Sequence, residues 1–436
     1  MFKTLADAFK IKEVRNKIIL TLVLLFIYRL GCWLPIPGID VAVLTEKVGN
    51  NDFLSMLSAV SGGSLSQGSF LALGVSPYIT SSIIIQLLSA VIPSWQRLAK
   101  EGGADGRKKI SQYTKIAALI LAVAQAIGIA VGFGAAGSAH LALFGNNKFI
   151  CYSFIVLMLT AGAMFTVWLG EKITEIGIGN GMSLLIFVGI LSSAGTGLLT
   201  NFQDMGKGGA ETQRAVWQLI LFLLVLVAIF ALVVFVDGGE RKVNVQYAKQ
   251  MKGRKMYGGQ STYIPIRVNA NGVMPIIFAS SILTFPQMLF SIFWPNSTGG
   301  FIGWWNKWIG AGSWVYAVLM ALLILAFAYF YTMLNFDTEQ ISRQIQQNGG
   351  FIPGIRPGKP TAQYLNGINK KITLFGAIFL AFMALIPTLL FTGIGVGALN
   401  TAFSATGMLI VVSVALEFDK QLEAQMMMRN YRGFLK

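Results

Sequence analysis

Charge is scarce in this chain. Of its 436 residues only 12% are Asp, Glu, Lys or Arg, about half of the roughly 25% usual in soluble domains. That scarcity excludes an ordinary water-soluble enzyme and a disordered protein, and leaves a polytopic membrane protein. A single histidine, His140, lies among small residues in a loop. It excludes a histidine cluster and reads as a surface side chain. The two cysteines, Cys32 and Cys151, both sit in apolar stretches, which supports neither a disulfide scaffold nor a thiolate metal site. No phosphate-binding loop is present, because Gly102, Gly103 and Gly106 precede Arg107 and Lys108 at the wrong spacing. No cofactor is expected. The run from Gly177 to Gly181 joins two apolar segments rather than a strand and a helix, so it reads as a tight turn.

What the chain has in abundance is long apolar runs. Hydrophobic residues make up 55% of it, and mean hydropathy is +0.65. Runs long enough to span a bilayer lie near 18–36, 74–92, 116–136, 149–169, 182–200, 216–236, 272–294, 314–334, 372–391 and 394–416. Spanning segments must satisfy their own backbone hydrogen bonds, so these runs are expected as helices. A β-barrel would instead show alternating polarity in ten-residue segments. The first run lacks the small-residue cleavage pattern of a secretory leader, and no cleavable signal peptide is expected.

The expected fold class is therefore all-α, with ten transmembrane helices. The loops then alternate sides, and 28 of the 34 Lys and Arg fall on the side shared by both termini, against 5 opposite. The positive-inside rule puts both termini in the cytoplasm. Five spans precede the 201–215 loop and five follow it, so corresponding helices of the two halves run in opposite directions. That count permits two inverted five-helix halves, 1–200 and 216–436, hinged at 201–215, with a functional site at their seam.

Intramembrane charges usually mark ion or proton pathways. Here the ten runs hold only Arg29 and no acidic residue, which weighs against a secondary transporter. A membrane enzyme would need His, Asp, Glu or Cys clustered at one face, and none is seen. For Arg29 two structural roles fit: pairing with backbone carbonyls, or snorkelling to the outer interface.

Two features break the pattern of span and loop. The stretch 61–74 is too polar and too short to cross. It reads as a short half-helix, Ser64 to Leu73, ahead of a full helix from Val75, with Pro77 in the first turn where proline is tolerated. Either an interfacial loop or a re-entrant element buried in protein fits it. The loop 237–271 alternates Val243, Val245 and Tyr247 like a strand, with a basic turn at Gly253-Arg254-Lys255, and reads as a cytoplasmic hairpin. Loop 335–371 carries a rigid basic tip around Arg356. Both loops either set topology alone or dock something anionic, such as nucleic acid or an acidic protein face.

The chain resembles the bacterial SecY family, whose members are central subunits of a protein-conducting channel. The resemblance rests on Leu34-Pro35-Ile36-Pro37-Gly38-Ile39-Asp40, Ser61-Gly62-Gly63, Pro77-Tyr78-Ile79 with Ile83-Ile84-Ile85-Gln86-Leu87-Leu88, and Gly106-Arg107-Lys108-Lys109-Ile110-Ser111-Gln112-Tyr113-Thr114. Gly177-Ile178-Gly179-Asn180-Gly181, Phe278-Ala279-Ser280-Ser281 and Pro353-Gly354-Ile355-Arg356-Pro357-Gly358 extend it over essentially the whole length.

The resemblance implies a channel that passes unfolded secretory proteins across the bacterial cytoplasmic membrane and releases membrane segments into lipid. It implies a mid-membrane ring of apolar side chains at Val75, Ile79, Met182, Ile186, Ile277 and Ile410. Val75 and Met182 depart from the family's isoleucine but not from its polarity. It implies a plug helix including Ser64, Leu65, Phe70 and Leu71, and a lateral gate with polar residues Thr80, Gln86, Gln125 and Asn269. Arg241, Lys249, Arg254 and Arg356 are implied contacts for the motor ATPase SecA or the ribosome, both its rRNA and its proteins. Lys242 stands where relatives commonly have arginine. Small subunits SecE and SecG, signal sequences and nascent chains, and membrane lipids complete the implied partners.

Overall fold

A computed structural model describes residues 7–433, apart from 38, 40, 42–43, 46–57, 59–60, 101, 136–147, 206–209, 248–249, 253–254, 258–260, 270–271, 273, 294–299, 310–312 and 395–404. His140, Lys249 and Arg254 fall outside the described residues. Each expected apolar run carries a helix: α1 (Lys12–Gly31), α2 (Ser76–Val91), α4 (Gly103–Ala135), α5 (Lys148–Ile176), α6 (Gly181–Met205), α7 (Ala210–Asp237), α8 (Met274–Phe293), α10 (Trp314–Asn335), α12 (Lys359–Ile394) and α13 (Ala405–Gly433). Shorter helices α3 (Pro93–Lys100), α9 (Gly300–Ile309) and α11 (Thr338–Gln347) lie between them.

Among the described residues five helices are long and apolar enough to cross a membrane: parts of α4, α5, α7 and α12, and the stretch Trp314–Gln347 that covers α10 and α11. Three shorter apolar helices stand at Ser76–Val91, Gly181–Thr196 and Met274–Leu283. The remaining two expected spans correspond to α1 and α13, which run into charged sequence. α1 starts six residues before its apolar run, at Lys12, and stops at Gly31. α13 is described from Ala405 and continues through the charged tail.

Lipid offers apolar side chains the same environment as a helix partner does, so membrane helices associate through close packing rather than hydrophobic exclusion. α4 shows the device. Ala118, Ala122, Ala126 and Ala130 recur every fourth residue, all buried, and the last three share a core with Ile155, Leu159 and Ala163 of α5. Small side chains on one stripe let the two backbones approach. Outward faces stay apolar and uncovered: Trp217, Leu224 and Phe235 of α7 are 67%, 63% and 83% exposed, as suits a helix facing acyl chains.

The two halves of the sequence touch on two sides. α8 packs on α2 and α4, while α7 and α13 pack on α6. On the first side Ile83 of α2 is buried in the core formed by Ile276, Phe278 and Leu283 of α8 with Ile324, Phe327 and Tyr331 of α10.

The hairpin expected at 237–271 is present. β1 (Glu240–Tyr247) pairs antiparallel with β4 (Ser261–Arg267), with Arg241 opposite Ile266 and Val245 opposite Thr262. β2 (Gln250–Lys252) and β3 (Lys255–Tyr257) form its outer end. One pairing was not anticipated. β5 (Gly350–Phe351), from the second basic loop, adds to the free edge of β1 and gives the sheet order β4-β1-β5. Val243, Val245, Ile266, Ile345, Ile352 and Leu365 close a small core beneath it. The described parts of loops 237–271 and 335–371 are therefore one body.

Candidate functional site

The stretch 61–75 is largely buried, with Gln67 exposed, as the re-entrant reading requires, but it is not a helix. The expected half-helix from Ser64 to Leu73 is replaced by successive turns. Gly62, Gly63, Gly68 and Gly74 all take positive φ, which a right-handed helix does not accommodate. Serine hydroxyls compete with a helical ladder: Ser64 Oγ donates to the Ser61 carbonyl at 2.9 Å and Ser66 Oγ to the Gly63 carbonyl at 2.7 Å. Ser64, Leu65, Leu71 and Leu73 are each at most 1% exposed, and Phe70 is partly buried.

This knot of turns is tied to the residues that follow α1. Ile36 N donates to the Gly68 carbonyl at 2.8 Å and Phe70 N to the Leu34 carbonyl at 3.3 Å. Ser69 Oγ donates to the Gly31 carbonyl at 3.1 Å while accepting from Leu71 N at 3.0 Å. On its other side the segment presses against α5. A Cβ on Gly162 would lie 1.8 Å from the Phe70 carbonyl oxygen, so only glycine permits the approach.

Above the turns, the six residues expected to form a ring fall in one apolar cluster. Val75, Ile186 and Ile410 are buried there, with Ile79, Met182 and Ile277 packed against them. Leu71 and Phe70 belong to the same cluster. Four separate stretches supply these six residues: the start of α2, the first turns of α6, the first turn of α8, and α13. Val75 and Ile79 are joined by an Ile79 N to Val75 carbonyl bond at 3.1 Å. Met182 and Ile186 repeat that spacing on α6, so each pair presents one face. A small cavity lined by Ser61, Leu73, Gly74, Val75, Ile79 and Ile186 lies where turns and ring meet. Apart from hydroxyls at Tyr28, Ser61 and Ser76, nothing polar on a side chain lines it. A narrow apolar constriction excludes ions by dewetting and widens at low cost because its walls are flexible aliphatic groups.

The polar residues expected at the gate have different settings. Gln86 crosses between helices: Tyr331 Oη of α10 donates to Gln86 Oε1, and Gln86 Nε2 donates to Ser82 Oγ at 3.2 Å. Thr80 Oγ1 bonds within α2, to the Ser76 carbonyl at 3.1 Å. Gln125 is buried on α4. Asn269 sits at the neck of the hairpin, where its Nδ2 donates to Asp237 Oδ1 at 2.6 Å. Tyr331 is the residue missed at the sequence level. Its ring lies 4.9 Å from that of Phe278, tilted by 48°, and looks like one more aromatic in an apolar run; its phenol, opposite a glutamine 245 positions away, gives it a role.

Among the implied docking residues, Arg241 is exposed on β1 and Arg356 is exposed just after β5, so both belong to the same sheet-centred body. Lys242 lies 4.8 Å from the Tyr263 ring centroid and 3.3 Å from Glu240, an arrangement its ammonium satisfies as a guanidinium would. Among the described residues no group of His, Cys, Asp or Glu could hold a metal ion.

The family profile described as SecY matches residues 69–418. The protein translocase subunit SecY of Mycobacterium bovis is 39% identical over 454 aligned positions, covering 100% of both chains. Two solved structures share the fold with a TM-score of 0.65, each covering 94% of this chain and 91% of its own. One is of a protein-conducting channel, 19% identical. The other, 17% identical, is a SecY protein whose plug domain stabilises the closed state and maintains a membrane seal.

Proposed function

The chain belongs to the SecY family of protein translocase subunits, and from that premise we propose that it forms the central channel of a translocase in the bacterial cytoplasmic membrane. The channel passes unfolded secretory proteins outward and releases transmembrane segments sideways into lipid. The proposal includes ten membrane-crossing helices in two inverted halves, 1–200 and 216–436, hinged at 201–215, with both termini cytoplasmic. Val75, Ile79, Met182, Ile186, Ile277 and Ile410 form the constriction. The 61–75 turns, including Ser64, Leu65, Phe70 and Leu71, plug it from outside. The lateral gate opens between α2 and α4 on one side and α8 and α10 on the other, with Thr80, Gln86, Gln125 and Asn269 as its polar residues.

The observation that carries this reading is the convergence of six aliphatic side chains from four stretches on Phe70 and Leu71 of the turn segment. The seal yields around a passing chain because it is held by packing, without an ion pair. An apolar signal helix entering the gate gains transfer energy into lipid.

The chain supplies no chemistry of its own, so energy comes from separate partners. SecA or the ribosome docks on the cytoplasmic body through Arg241, Lys249, Arg254 and Arg356. SecE and SecG complete the membrane complex. Replacing Ile79 and Ile277 together by glycine tests the ring. Ion leak across planar bilayers is expected to rise; unchanged conductance would remove both residues from the seal.

A further inference from the structure

Arg29, the one charged residue within the apolar runs, has no part in the ring, gate or docking sites. It stands in the last turn of α1. Its Nη1 donates to the Gly62 carbonyl at 2.9 Å, and its guanidinium carbon lies 5.7 Å from the Trp33 ring centroid. Gly62 opens the turn segment with φ +72, a conformation that glycine adopts without strain. A Cβ there would come within 3.0 Å of Arg29 Nη1 and of Gly189 Cα and O on α6. The first turn is thus wedged between α1 and α6 with its carbonyl offered to a cation. Among the described residues, the far end of the same segment is held to the 31–36 stretch by neutral bonds, those of Gly68, Ser69 and Phe70.

We propose that Arg29 is the latch of the plug: a positioning residue whose charge-assisted bond to Gly62 keeps the 61–75 turns seated beneath the ring. The inference rests on the plug reading above. The physical basis is the contrast between the two ends. Hydrogen bonds from an ionised donor are about twice as strong as neutral ones, and they strengthen further away from bulk water. A single bond between side chain and backbone is also simple to break and remake as the segment leaves and returns. The Trp33 ring gives the guanidinium a second favourable contact, one that does not require the plug to be in place. Arg29 therefore stays ordered, ready to recapture Gly62.

The test uses the assembled translocase in membrane vesicles, with Cys151 changed to alanine, Cys32 kept because its thiol contacts Arg29, a reporter thiol from Ser64→Cys, and the same chains without Ser64→Cys as the labelling background. A membrane-impermeant maleimide added from outside reads how often the segment leaves its seat. Arg29→Met keeps the apolar stem and removes the donor. It is expected to label about tenfold or more faster than the parent at rest, the factor that follows from losing one hydrogen bond to a charged group. Arg29→Lys keeps a charged donor and is expected to label close to the parent rate. Parent-rate labelling of Arg29→Met would overturn the latch. So would equal, fast labelling of Arg29→Lys and Arg29→Met, which would assign the effect to side-chain shape. The plug reading is checked separately in the parent. Labelling there must rise when a preprotein is stalled in the channel, and no rise would sink that reading whatever Arg29 does.

Discussion

Replacing Gly162 by alanine is predicted to unseat the turn segment without touching any ring side chain. The new methyl carbon would fall 1.8 Å from the Phe70 carbonyl oxygen and 2.7 Å from its carbon, whereas ordinary contact begins at 3.4 Å. Helix and turn must therefore separate by about 1.6 Å. α5 is fixed by Ile155, Leu159, Ala163 and Val167, none more than 3% exposed, so the turns yield. A shift of that size breaks the Phe70 N to Leu34 bond, already 3.3 Å long, and carries Phe70 and Leu71 away from the ring cluster. Overpacking of this kind costs about 1–3 kcal/mol. If the strain is relieved by leaving the seat, the ratio of unseated to seated channels rises by roughly five- to a hundredfold. Single-channel recording in planar bilayers reads this as more frequent openings without substrate. Gly195→Ala on α6 is the control: nothing lies within 4 Å of its Cβ position. It should leave conductance unchanged and stabilise the helix by about 0.5–1 kcal/mol. Parent-level leak together with parent-level thermal stability for Gly162→Ala would refute the reasoning.

At the gate, Gln86→Leu and Tyr331→Phe should each ease lateral opening, read as faster crosslinking of a weak signal sequence to lipid. The effect is about threefold if the bond contributes the ~0.6 kcal/mol averaged in bacteriorhodopsin. The double variant should add nothing further, since both changes remove one bond; full additivity would show that the two do not act together. On the cytoplasmic body, Arg356→Glu should block SecA-driven export from vesicles while the protein still inserts in the membrane. The side chain is exposed, and its carbonyl accepts from Thr361 Oγ1 at 2.9 Å. Normal preprotein transport by this variant would remove Arg356 from the docking surface.

The helices were legible because a spanning segment announces itself by composition alone: Leu219 to Phe235 is apolar on every face, and only a helix satisfies such a backbone in lipid. The β1–β4 hairpin was legible from its local alternation at Val243 and Val245. The β5 edge was not, because Gly350 and Phe351 carry no strand pattern and pair with residues about a hundred positions earlier. The sequence reads the stretch from Ser64 to Leu73 as a half-helix because it is too short and too polar to cross yet leads into the full helix from Val75. The glycines and serines within it decide otherwise, through positive φ and hydroxyl bonds to nearby carbonyls. The six ring residues could be named only through family resemblance. Periodicity pairs Val75 with Ile79 and Met182 with Ile186, but nothing local tells an aliphatic side chain at a pore from one at a helix contact. Arg29 stood out as a lone charge, and of its two foreseen roles the structure shows pairing with a backbone carbonyl.

A translocation pore in this chain requires that a polypeptide pass through the cluster of Val75, Ile79, Met182, Ile186, Ile277 and Ile410. The direct measurement is site-specific photocrosslinking from positions 79 and 277, with the outward-facing Leu223, 43% exposed, as the lipid-side control. A secretory preprotein is stalled midway by a folded C-terminal domain, in vesicles supplied with SecA and ATP. Crosslinks from 79 and 277 but not from 223 are the predicted result. Silence at all three positions, with SecA shown to be active, would contradict the account.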